Sequence, residues 1–173
     1  MMQVYHGAAC EVQKPIVGYE RSDLDFGQGF YVTVLREQAE QWARTVAMRV
    51  PRADAILNIY ELDIDYVYNH FHCLIFKAYD RAWLDFIVQS RSGERPWVEY
   101  DFIEGGVAND RVIDTVEGYM AGMMSADFAI AQLAQHQPNH QMCLLNQRLV
   151  DRCLHFKESF IVQLKKKGGR YVE

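Results

Sequence analysis

Apolar and polar positions change their period several times along the chain, and each change marks an element. "MQVYHGAA" reads as a first strand ended by Gly7, and residues 11–28, with Pro15, Gly18 and several charges, read as a long loop. "GFYVTV" is a second strand. "LREQAEQWARTVAMRV" is a helix, with Leu35, Ala39, Trp42, Ala43 and Val46 expected on its core face and Pro51 closing it. "AILNIYELD" alternates: Ile56, Asn58, Tyr60 and Leu62 face one side, Leu57, Ile59 and Glu61 the other, with partial burial of both. A short strand "CLIFKA", a helix "DRAWLDFIVQSR", a turn at "SGERP" and a strand "WVEYDFIEGG" follow. Asn109 or Asp110 is expected to cap the next helix, "NDRVIDTVEGYMAGMM", and Ser125 caps "SADFAIAQLAQHQ" before Pro138. "HQMCLLN" is a strand, "QRLVDRCL" a short helix and "FKESFIVQL" a last strand. Strands and helices mix without strict alternation, which predicts an α+β fold over a doubly wound sheet.

Composition narrows the class. The 173 residues, half of them hydrophobic, suit a single globular domain spanning 1–173. No stretch reaches the roughly 20 apolar residues of a membrane helix. The first ten residues lack the basic and apolar regions of a signal peptide, so a cytoplasmic setting is expected. Cys10, Cys73, Cys143 and Cys153 are scattered, without the spacing of a zinc site. The net charge of -5 argues against a duplex nucleic-acid binder. The basic run Lys165–Arg170 reads as a solvated tail.

Familiar chemical motifs are missing. After Gly27 and Gly29 the sixth position of a dinucleotide fingerprint is Val32, so that motif fails. "DFG" at Asp25–Gly27 stands without the other kinase motifs, and its aspartate reads as a loop hydrogen bond. His70 and His72, two apart, suit one face of a strand but have no third ligand, and no metal is expected. What remains is "YHG" at the end of the first strand and "GQGFYVT" at the start of the second. Glycine permits a turn and a ligand's approach to the main chain. Histidine offers two ring nitrogens to a hydroxyl, and tyrosine a flat face to an aromatic ring.

His6-Gly7 followed by Gly27-Gln28-Gly29-Phe30-Tyr31-Val32-Thr33 resembles the first two signatures of the His-Tyr-Glu class of ADP-ribosyltransferases, "HG" and "GKGIYFA". From residue 3 to about 162 the chain is similar to a bacterial family of uncharacterised function assigned to that superfamily. The matching segments are "LDFGQGFYVT", "REQAEQWA", "YDFIEGGVANDRV" and "NHQMCLL". The resemblance implies a split β-sandwich with flanking helices and NAD as substrate. It implies that His6 binds a ribose hydroxyl, the Gly7 backbone holds the nicotinamide carboxamide, Tyr31 stacks on its ring, and Gly29 and Thr33 line the pocket. The strand that carries the class's glutamate carries Gln141 here, a neutral amide. Glu104 is an alternative carboxylate, and Arg21 and Arg36 are candidates for the phosphates. The implied activity is mono-ADP-ribosyl transfer to a macromolecule, a protein before a nucleic acid, in a bacterial toxin or effector with an antitoxin as partner. The alternatives are an NAD glycohydrolase and a non-catalytic module that binds NAD or a partner.

Overall fold

The computed structural model describes residues 1–18, 24–108 and 112–162. Arg21, the Asn109/Asp110 cap and the basic run Lys165–Arg170 lie outside them. Within them the fold is α+β, with two antiparallel-dominated sheets. One holds β1 (Met2–Ala8), β3 (Ile56–Leu62) and β7 (Leu154–Ile161) in the order β1-β3-β7. The other runs β2 (Phe30–Val32), β6 (Gln141–Leu144), β5 (Phe102–Gly105), β4 (Cys73–Ile75), with β4 and β5 parallel. No helix among the described residues is long and apolar enough to cross a membrane.

Alternation along the strands sorts the core into three layers. Val4, Tyr60 and Leu62 meet Phe30, Val32, Phe102, Met142 and Leu144 between the sheets. Two short helices close this layer, α2 (Ile64–His70) through Val67 and α6 (Gln147–Cys153) through Leu149 and Val150. Asp63 accepts the Tyr66 N–H and caps α2, an element the sequence pattern leaves unread. Behind the four-stranded sheet, Phe26, Ile103 and Cys143 pack on Trp83, Leu84 and Ile87 of α3 (Arg81–Arg91). The same layer takes Val116 of α4 (Ile113–Met120), and Ala129 and Leu133 of α5 (Ala126–Leu133). Behind the three-stranded sheet, Leu57 and Ile59 lie under α1 (Arg36–Ala47). Strand β3 is thus covered on both faces more completely than its alternation suggested, and each large side chain so buried stabilises by about 1.5–3 kcal/mol.

Helix α1 buries only part of its expected core face. Ala39, Ala43 and Ala47 meet the sheet, while Leu35 and Trp42 are 45% and 51% exposed. The reason is the closeness of the approach. A Cβ on Gly7 would stand 2.1 Å from the Ala39 carbonyl oxygen and 2.6 Å from the Ala43 nitrogen. Helix and strand meet backbone to backbone, and only alanine fits such a seam. Segment 96–101 also departs from expectation. Pro96–Glu99 forms a 3-10 turn, and the strand begins only at Phe102.

The loop after β1 is fastened to the fold by polar groups. Asn58, fully buried, accepts the Val12 N–H at 2.8 Å and donates to the Cys10 carbonyl at 3.1 Å. Gln147 accepts the Val17 N–H and donates to the Pro15 carbonyl. At the far end, the buried Asp25 carboxylate pairs with Arg91 and accepts the Ala108 N–H at 2.7 Å. Burial raises the Asp25 pKa, and the charge of Arg91 opposes that rise.

Candidate functional site

The two sheets touch through the edge strands β1 and β2, on a single rung. Tyr5 and Thr33 exchange both backbone hydrogen bonds, at 2.8 and 3.0 Å. In an antiparallel pair, every second residue turns its N–H and C=O to the same side. Tyr5 turns its pair toward β2, so Gly7, two residues on and in unbroken register with β3, does so as well. By the same rule Tyr31 turns its backbone toward β1. No hydrogen bond joins Gly7 to Tyr31 among the described residues. The strands have splayed, and the result is a fork whose prongs are Gly7 and Tyr31.

His6 reaches across this fork. Its Nδ1 lies 2.7 Å from the Tyr31 carbonyl oxygen, and its ring lies 4.3 Å from that of Phe30. A carbonyl only accepts, so Nδ1 carries the hydrogen and donates it, leaving the Nε2 lone pair free. Desolvation pushes the imidazole pKa down to about 4, against the raising effect of the Tyr31 bond, so the ring is neutral near pH 7. Between the ordinary histidine pKa of 6.5 and about 4 the unfolded chain binds a proton that the folded one refuses. Stability contributed here is therefore present above the upper value and lost as pH falls through the window. Asp25, whose pKa is raised, works in the opposite sense. His6→Gln is expected to flatten the fall in melting temperature between pH 6.5 and 4 relative to wild type. An unchanged pH profile would mean that the ring is not held neutral in the fork.

Tyr31 is half-buried and fixed. Its hydroxyl donates to the Gly27 carbonyl at 2.8 Å and accepts the Phe26 N–H at 3.2 Å. Burial raises its pKa well above the ordinary value, so it stays a phenol. The turn that holds it needs its glycines. Gly27 has φ +88°, and a Cβ there would strike the Trp97 ring. Gly29 has a packing reason of its own, since a Cβ would stand 2.4 Å from the Cys143 Sγ and 2.6 Å from the Leu144 carbonyl oxygen. Thr33 is buried, and its hydroxyl is occupied by the Leu35 N–H at 3.0 Å, so it shapes the rung.

Gln141 opens β6. Tyr31 stands opposite Cys143, and Gln141 is two residues along, so Gln141 and Tyr31 share one face as diagonal neighbours, about 7–8 Å apart at their Cα atoms. Gly105 stands opposite Gln141 on β5. Glu104, paired with Met142, lies on the other face. Its carboxylate takes hydrogen bonds from His140 Nε2 at 2.9 Å and from the Tyr68 hydroxyl. Burial raises its pKa, but those two bonds outweigh it and hold the carboxyl below its usual range. The fold thus sets the Gly7 and Tyr31 backbones at the fork, places the Tyr31 and Gln141 side chains on the outer face of the four-stranded sheet, and leaves the His6 ring, on Phe30, and Glu104, beside Met142, on its inner face.

The other sequence candidates lie elsewhere. Arg36 is ion-paired with Glu40 at 2.9 Å. His70 and His72 do not share a strand: His70 ends α2 with Nδ1 at the Tyr66 carbonyl, and the His72 ring bonds the Glu99 carbonyl. No group of three or more His, Cys, Asp or Glu suited to a metal ion exists among the described residues.

The model of the DUF3990 family, proteins of unknown function, matches residues 2–156. The chain belongs to that family. The matched span holds His6, Gly7, Tyr31 and Gln141 of this DUF3990 protein. No curated protein and no solved structure matches the chain.

Proposed function

We propose that the fork is an NAD site and that this DUF3990 protein transfers ADP-ribose from NAD to a protein acceptor, as a bacterial effector or toxin with an antitoxin as partner. The observation that carries the reading is the Gly7 backbone, turned into the fork beside a neutral His6. An N–H and a C=O on one residue are complementary to a carboxamide. The N–H donates to the amide oxygen, and the carbonyl accepts from the amide nitrogen. Nε2 of His6 accepts from a ribose hydroxyl, and the fixed Tyr31 ring offers a stacking face. In the reaction the bond between ribose C1′ and the nicotinamide nitrogen breaks, and its electron pair leaves with nicotinamide. The acceptor's nucleophile bonds to C1′ and loses its proton. Gln141 orients the 2′-hydroxyl.

A second reading is favoured by one observation. Gln141 is neutral and the Glu104 carboxylate is taken up by His140 and Tyr68, so the developing positive charge on the ribose meets no uncommitted negative charge. NAD binding without turnover, or slow hydrolysis to free ADP-ribose, fits that arrangement. Incubation with NAD separates the cases: nicotinamide with a labelled protein, nicotinamide with free ADP-ribose, or binding alone. Calorimetric titration with NAD tests the shared premise. Tyr31→Ala and His6→Gln are each expected to weaken binding about fivefold or more, since a stack or a hydrogen bond contributes on the order of 1 kcal/mol. A wild type that takes up no NAD at millimolar concentration sinks both readings.

A further inference from the structure

Helix α1 keeps its largest apolar side chain in solvent. Trp42 is 51% exposed beside the alanine seam, and Leu35, at 45%, just before the helix, and Arg49, just after it, lie seven residues to either side. Met48 and Val50, 75% and 44% exposed, widen this exposed stripe at its far end. The charges beside it are unevenly matched. Arg36 and Arg44 both pair with Glu40. Arg49 instead lies over the Trp42 ring, its guanidinium carbon 5.8 Å from the centroid, and no carboxylate among the described residues pairs with it. Arg52, exposed and held at φ +62°, has no such partner either. The fold gains little from this tryptophan, because the helix is held by its alanines.

We propose that this stripe docks a protein segment in which acidic residues flank an apolar anchor. Carboxylates of the partner would meet Arg49 and Arg52, and its apolar side chain would cover Trp42 and Leu35. A buried tryptophan beside an arginine is the composition that dominates binding energy at protein interfaces. Nucleic acid is the poorer match. A phosphate backbone is held by several cations together, whereas this surface offers two unpaired ones, interspersed with Glu37 and Asp54. The inference stands apart from the NAD reading, because it uses none of the fork residues.

The test uses the purified full chain and a displayed library of random peptides, selected on wild type and counter-selected on Trp42→Ala/Arg49→Ala. Enriched peptides are expected to carry Asp or Glu close to Leu, Phe or Trp, and to bind wild type at least tenfold more tightly than the double variant, about 1.4 kcal/mol. Arg49→Glu is the second variant; it is expected to lose those peptides at an unchanged melting temperature. No enrichment, or peptides that bind wild type and variants alike, overturns the proposal. So does Trp42-dependent binding of a short oligothymidylate. Trp42-dependent dimerisation in sedimentation velocity also overturns it, since the stripe would then serve a second copy of the chain.

Discussion

Gln141→Glu is expected to raise the rate of nicotinamide release from NAD by on the order of a hundredfold, the scale on which one aligned electrostatic group acts in a water-poor site. Cleavage leaves positive charge on the ribose, and a carboxylate at position 141 would face it from the same sheet surface as Tyr31. The nearest buried carboxylate to Tyr31, that of Asp25, is already committed to Arg91 and the Ala108 N–H, so it does not supply the missing charge. The new carboxylate is half-buried and costs desolvation, which limits the gain. The acceptor site is built around an amide. The gain is therefore expected in hydrolysis and not in transfer to the natural acceptor. Gln141→Ala removes the partner of the 2′-hydroxyl and is expected to lose whatever release wild type has. Nicotinamide is measured at saturating NAD for the three proteins. If both variants match wild type, Gln141 does not face the ribose.

The second large effect is on stability. Gly7→Val places carbon where the backbone of α1 already stands, 2.1 Å from one atom and 2.6 Å from the next. Backbone does not rotate aside as a side-chain tip does, so α1 must lift off β1. Overpacking of this kind costs about 3 kcal/mol, and for a domain of this size a melting temperature lower by roughly 6–12 °C. Gly18→Val is the control. Gly18 sits at φ +89° with open space around it, so the cost is only the strained backbone, about 1–2 kcal/mol. Equal losses would mean that the α1–β1 seam is looser than the helix geometry requires.

The alanine seam also explains where reading the chain succeeded and where it could not. Periodicity located α1 and ranked its positions by hydrophobicity, which favoured Leu35 and Trp42. The packing selected by size, because Gly7 draws the helix to backbone contact and leaves no room for an indole. Strand β3 was legible in its faces, since alternation needs only local geometry. Helix α2 was not, because seven residues hold too few apolar repeats to outweigh noise, although Asp63 capping Ile64 and Val67 was the available signal. For the site, the types and order of His6, Gly7 and Tyr31 were on display. That His6 binds the main chain of Tyr31 was not, because it depends on two strands splaying after one rung. Which face Glu104 takes depends on the register of β5 against β6, set by tertiary pairing.

Sheet order has a consequence for how this chain is made. Strand β3 pairs with β1, the first strand of the chain, on one edge and with β7, the last described, on the other. A nascent chain on the ribosome thus owns His6 and Tyr31 long before, and Gln141 shortly before, it owns the strand that seals β3. Until residue 161 emerges, β3 carries an edge of unpaired N–H and C=O groups open to chaperones or to wrong pairing. Premature termination within residues 142–153 would leave His6, Gly7, Tyr31 and Gln141 in the chain and still yield no finished three-stranded sheet.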